Sequence, residues 1–226
     1  MAQYVTQLPQ DLEQIRVLTA DRTRMNSQLL AEALARDGQL QVTGIEPKAT
    51  SILAAVTEGR PDVVVLMFTT SNDRDDNSSN MRPDGYYKPY LVQAADGTWR
   101  FAGLPVPKSR QAYFTDDPLV KNLWLARLAV TGYIYVSHPK ITVPDPTEQL
   151  VGMLRDFVES RGSKLLVGLE YRDEKLQSYL QAQKIRYALL EGAEAYLADG
   201  RHWTPKGHAL VADRLKTLLL AAGVGK

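Results

Sequence analysis

Three short apolar runs rich in branched residues, Ile15 to Ala20, Leu40 to Ile45 and Val63 to Phe68, alternate with two helical patterns, Arg24 to Ala35 and Ala49 to Glu58. Strands separated by helices of this length call for right-handed βαβ crossovers, and hence for a parallel sheet covered on both faces. The pattern resumes further on with a helix over Thr147 to Arg161, a strand over Lys164 to Leu169 and a helix over Asp173 to Gln183. A strand over Ile185 to Leu190 and a helix over Pro205 to Ala222 complete it. Five parallel strands and their helices make a doubly wound α/β fold, a three-layer flavodoxin-like sandwich with strand order 2-1-3-4-5. A chain of 226 residues, 44% of them hydrophobic, can bury one such core, so a single domain over residues 1–226 is expected.

A long insertion of different character, Asp73 to Pro146, separates the third strand from the Thr147 helix and holds most of the prolines and many of the aromatics. Within it Tyr90 to Ala94 and Thr98 to Ala102 flank Asp96-Gly97, a favoured hairpin turn pair, which predicts an inserted β-hairpin lying over the carboxyl edge of the sheet. A helix over Pro118 to Val130 follows, its Leu, Trp and Val spacing suited to a core. The aromatics Tyr86, Tyr87, Tyr90, Trp99 and Phe101 have two readings: they line a substrate cleft, or they pack the hairpin onto the sheet.

Composition removes several function classes. Cysteine is absent, which excludes disulfides, thiolate metal sites and thiol catalysis. The 27 basic and 26 acidic residues leave a net charge of +1, so nothing global steers the chain to nucleic acid or to an anionic membrane. Met1 to Leu12 has no basic stretch followed by an apolar run, and nowhere do about 18 uncharged apolar residues follow one another. A cytoplasmic chain with no membrane partner is the expectation, and Asn77-Ser78-Ser79 is read as a polar loop rather than a glycosylation acceptor. His138 stands alone before Pro139, and Asp21, Asp73, Asp75 and Asp76 are read as a solvated acidic loop, so no metal and no cofactor are expected. His208 is read as capping or packing against the first turn of the last helix. Oligomeric state is open.

The stretch with most chemistry is Asp199-Gly200-Arg201-His202-Trp203-Thr204-Pro205-Lys206-Gly207-His208, just before the C-terminal helix. A carboxylate three residues from an imidazole can fix its tautomer and stabilise its protonated form, as a general base serving a hydroxyl requires. With Thr70-Ser71-Asn72-Asp73 after the third strand, with Arg74 to Asn77, and with Pro89-Tyr90, this stretch resembles the SGNH (GDSL-type) hydrolases over about residues 62 to 222. These are esterases and acyl hydrolases on a flavodoxin-like fold. The resemblance implies His202 as base, Asp199 as its orienter and Asn72 as an oxyanion donor, acting on a small ester or acylated substrate. Gly44 falls near the family's second, backbone donor, but is read here as a turn residue.

Residues 1–66 resemble something else, the start of a response-regulator receiver domain. The likeness lies in Ile15 to Asp21, Met25 to Leu34, Gln41 to Gly44 and Arg60 to Leu66. Receivers share the flavodoxin-like topology, so the chain reads as a chimera-like join of a receiver-like part, 1–66, and an SGNH-hydrolase-like part, 67–226. Each family loses its reactive group at the join. Met67 stands where a receiver carries its phosphate-accepting aspartate, and a thioether cannot take a phosphoryl group. Arg22 stands where an SGNH enzyme carries its nucleophilic serine. Ser71, Thr23 and Ser27 are the substitute hydroxyls, each also explicable as a cap or a solvent-facing group. The resemblance therefore implies at most a weak ester or acyl hydrolase. Its rival is a non-catalytic natural or engineered chimera serving as a scaffold or interaction module.

Overall fold

A computed structural model describes residues 14–20, 24–36, 38–45, 49–70, 72–192 and 203–222. Its elements in chain order are β1 (Ile15–Ala20), α1 (Arg24–Ala35), β2 (Leu40–Ile45), α2 (Ala49–Gly59), β3 (Val63–Phe68), α3 (Asp73–Asn77), β4 (Tyr90–Gln93) and β5 (Trp99–Ala102). There follow α4 (Arg110–Asp116), α5 (Pro118–Asn122), α6 (Trp124–Ser137), α7 (Thr147–Glu159), β6 (Lys164–Leu169), α8 (Glu174–Ala182), β7 (Arg186–Leu189) and α9 (Pro205–Ala221). The chain divides into two compact units, Met1–Thr69 with Gly152–Lys226, and Thr70–Val151.

The first unit holds a five-stranded, all-parallel sheet in the order β2-β1-β3-β6-β7. Counted within the sheet this is the expected 2-1-3-4-5 order, compatible with a flavodoxin-like fold. β1 pairs with β2 from Ile15–Leu40 to Ala20–Ile45, and β3 with β6 from Val63–Lys164 to Phe68–Leu169. Gly44, read as a turn residue, instead lies inside β2 opposite Thr19. The β1–β3 seam is lean, with Val17–Val63 and Leu18–Val64 its only matched pairs among the described residues. Asp62 reinforces it: its carboxylate accepts from the Arg16 backbone N–H at 2.9 Å and from the Arg16 guanidinium at 2.7 Å, and its own N–H donates to the Arg16 carbonyl at 3.2 Å.

The core follows from alternation of side chains across the strands. Ile15, Val17, Leu40, Val63 and Leu166 cluster with Leu34 of α1 and with Val211, Leu215, Leu218 and Leu219 of α9. The neighbours of Leu166 in β6, Leu165 and Val167, are equally buried, so β6 is covered on both faces. α8 buries Leu176 and Leu180 and begins at Asp173, whose side chain accepts from the Leu176 N–H at 2.9 Å. α9 starts in the same way: Thr204 accepts from the Gly207 N–H at 3.0 Å, with Pro205 in the first helical position.

The second unit contains the antiparallel hairpin β4–β5, paired from Tyr90–Ala102 to Gln93–Trp99. The turn is one residue longer than an Asp-Gly pair alone implies. Ala94 closes against Thr98 through a 2.8 Å N–H to carbonyl bond, and Gly97 adopts φ +82 as the left-handed residue of a three-residue loop. Asp96 caps that loop, accepting from the Thr98 N–H at 2.9 Å and from its hydroxyl at 2.6 Å.

The single helix expected over Pro118 to Val130 is two helices, because the backbone turns extended at Leu123 (φ −114, ψ 119). The break is stabilised from α6: Arg127 reaches back so that Nε donates to the Val120 carbonyl at 3.0 Å and Nη2 to the Lys121 carbonyl at 2.6 Å. These carbonyls belong to the last turn of α5, where helical partners run out. Among the described residues no helix is long and apolar enough to cross a membrane.

Candidate functional site

Most of the residues that the SGNH resemblance singles out lie outside the described residues: Asp199, His202, Arg22, Thr23 and Ser71. Ser27 lies on α1, with its side chain likewise outside the description. Asn72 is described. It occupies the N-terminal flank of α3, four residues beyond the end of β3, and is exposed. Its side chain makes no capping bond to the helix; the amide instead points along α3, with Nδ2 3.4 Å from Asp76 Oδ2. That is the long limit of a hydrogen bond, so an acceptor at normal distance would compete readily for the donor.

What holds the Asn72 segment is a cluster that the motif reading did not anticipate. Arg74 pairs with Asp145 through Nη1 and with Glu148 through Nη2 at 2.8 Å, and all three side chains are largely withdrawn from water. Asn77 donates to the Thr147 hydroxyl at 3.0 Å, and the Thr147 N–H and hydroxyl both donate to Asp145. Burial alone would raise the pKa of Asp145, but the bonds from Thr147 and Arg74 outweigh it and hold the carboxyl below its ordinary value. α3 is thereby fastened to the first turn of α7, and the loop carrying Asn72 starts from a fixed base. Signals for this were present only as residue types: nothing in the spacing connects Arg74 to partners 71 and 74 residues away.

The remaining candidates have ordinary structural explanations. Trp203 and His208 meet edge to face with ring centroids 5.5 Å apart. They flank the Thr204 cap as the residue before it and the fourth residue of the helix, the positions of a staple that fixes how the chain enters α9. Met67 lies in β3 and packs against the core cluster. His138 is held between the rings of Tyr87 and Tyr133 at 6.1 and 5.9 Å, and its carbonyl accepts from the Tyr87 hydroxyl. Lys88 donates to the Ser79 carbonyl at 2.6 Å, and burial lowers its pKa. Among the described residues no three His, Asp or Glu side chains gather as a metal site would require.

No protein-family model matches the chain, and no match is found among curated proteins or among solved structures.

Proposed function

We propose that this chain is an SGNH-hydrolase-like protein without the usual nucleophilic serine, capable at most of weak ester or acyl hydrolysis. The strand order β2-β1-β3-β6-β7 carries the reading. β1 and β3 are neighbours, so the chain leaves their carboxyl ends side by side, and open α/β sheets take their ligands at such ends. Residues 21–23 follow β1, Asn72 follows β3, and Asp199 and His202 stand six and three residues before the start of α9 in the sequence.

In this reading His202, oriented by Asp199, removes a proton from a water or from the Thr23, Ser27 or Ser71 hydroxyl as that oxygen adds to the ester carbonyl. Asn72 Nδ2 donates to the oxygen that gains negative charge, and the proton passes to the departing alkoxide; where a hydroxyl attacked, a water deprotonated by His202 then cleaves the acyl ester formed on it, returning the free hydroxyl and the acid. Without the serine, only the rate that donors and binding supply is retained, roughly 10³–10⁴ over water in serine hydrolases stripped of a triad member.

Met67 favours a second reading, a non-catalytic natural or engineered chimera acting as a scaffold or interaction module. The position where a receiver accepts phosphate is filled by a side chain packed against the core. Hydrolysis of 4-nitrophenyl acetate by the full chain and by His202→Ala separates the two. The hydrolase reading predicts a slower variant, and equal rates leave only the chimera.

A further inference from the structure

Within the Thr70–Val151 unit lies a groove of about 570 Å³, inside the range of roughly 300–1,000 Å³ usual for small-molecule sites. Its walls are apolar, from Met81, Tyr87, Ile134 and Tyr135, and its charged lining residues are Arg110 and Lys140, with no Asp or Glu among them. Both cations are exposed, and among the described residues neither is ion-paired; Arg110 has only the Phe114 ring, 6.0 Å away. The charge of Arg110 reaches the groove, since it opposes the rise that burial imposes on the Tyr87 hydroxyl pKa.

The groove floor is built rather than incidental. Tyr87 is fixed by its hydroxyl on the His138 carbonyl, and buried Asn80, next to the bridge partner of Tyr87, Met81, ties that segment to the far side, accepting from the Ile141 N–H at 2.8 Å and donating to the Pro139 carbonyl at 3.2 Å. Gly85 takes φ +83, and a Cβ there would fall 2.1 Å from Gln111 Nε2, so the glutamine amide closes directly over the backbone. Gln111 Oε1 is buried and, among the described residues, has no hydrogen-bond donor.

The groove also opens onto an unusual surface. At about 100° per residue, Trp124, Leu125, Leu128, Tyr135 and Val136 share one side of α6. That side is the exposed one: Trp124 is 80%, Tyr135 82% and Val136 80% accessible. Arg127 and Thr131, both less exposed, flank one edge of this strip. Tyr135 belongs to both the groove wall and this apolar strip, which extends the greasy surface beyond the cavity.

We propose that the groove binds a free amphiphile with one anionic head, a long-chain carboxylate, its head on Arg110 and Lys140 and its chain against Met81, Ile134 and Tyr135. Unpaired cations supply charge-assisted bonds to a carboxylate, and the walls and α6 strip supply apolar contact for the chain. The proposal stands apart from the hydrolase reading, because none of its residues belongs to that chemistry.

Calorimetric titration of the full chain with monomeric dodecanoate tests it. Saturable binding of one dodecanoate is expected, weakened about tenfold by Arg110→Gln and by Lys140→Gln and unchanged by Arg36→Gln, an exposed cation outside the groove. Dodecyltrimethylammonium, with the same chain and the opposite charge, and acetate, with the head alone, should each bind at least tenfold more weakly. Both groove variants change exposed side chains, and matching thermal melts would show that they fold. Equal affinity of the cationic amphiphile, undiminished binding by both variants, or no saturable binding of dodecanoate would each overturn the proposal.

Discussion

Gly168 lies within β6, where there is no room for a side chain. A Cβ built there would stand 2.8 Å from Leu190 Cδ1, 3.1 Å from Met67 Sδ and 3.4 Å from Leu215 Cδ2. Leu190 is fully buried and cannot swing into solvent. Two opposed effects meet in Gly168→Ala. Reduced backbone freedom of the unfolded chain favours alanine by about 0.5–1 kcal/mol, and overpacking a filled core costs about 1–3 kcal/mol. Overpacking wins, leaving a net loss of up to about 2.5 kcal/mol. Leu190→Val removes the closest atom and by itself costs about 1 kcal/mol as a lost buried methylene. In the double variant the alanine methyl enters the space that Leu190 Cδ1 vacated, so the two losses should not add; a coupling of about 1–2 kcal/mol is expected. Urea denaturation of the four proteins measures the cycle. Strictly additive losses, or a Gly168→Ala variant more stable than its parent, would refute this account of how β3, β6, β7 and α9 pack.

Two further perturbations probe the seams. Asp62 has a carboxyl held below its ordinary value of 3.8, chiefly by the side-chain bond from Arg16. Its stabilisation is therefore present above that value and disappears as pH falls through the lowered one. Since the pair is partly exposed, Asp62→Asn should cost only about 0.5–1 kcal/mol at pH 7, and the gap in urea midpoints should shrink below pH 4; a gap independent of pH would contradict the assignment. Arg127→Ala strips two donors from the last carbonyls of α5 and the guanidinium from the Phe114 ring, 5.5 Å away. Tryptic cleavage after Lys121 in the native protein should accelerate about tenfold or more, and an unchanged rate would mean that the break at Leu123 does not depend on Arg127.

The alternation of branched apolar runs with helical patterns reports the sheet well, since β1, β2, β3 and β6 fall on the expected residues and α9 begins at the Thr204-Pro205 pair. Local chemistry decides these boundaries, and local chemistry is readable. The hairpin was foreseeable from Asp96-Gly97, and the ends expected for its two arms, Ala94 and Thr98, are the residues that close its loop. The break at Leu123 depends on a side chain four residues later turning back, which no propensity encodes. The same holds at the candidate site. Asn72 stands out by its place after β3, while the Arg74 cluster beneath it joins residues far apart in sequence. The cations of the groove, at 110 and 140, belong to no motif at all.

Arg22→Ser is the most direct test of the functional account, because it recreates an Asp-Ser pair directly after β1 while leaving Asp199, His202 and Asn72 untouched. If the scaffold retains the hydrolase arrangement and lacks only its nucleophile, 4-nitrophenyl acetate hydrolysis should rise by about 100-fold or more and fall back when His202→Ala is added. An Arg22→Ser protein no faster than its parent, with its fold intact by circular dichroism, would contradict it.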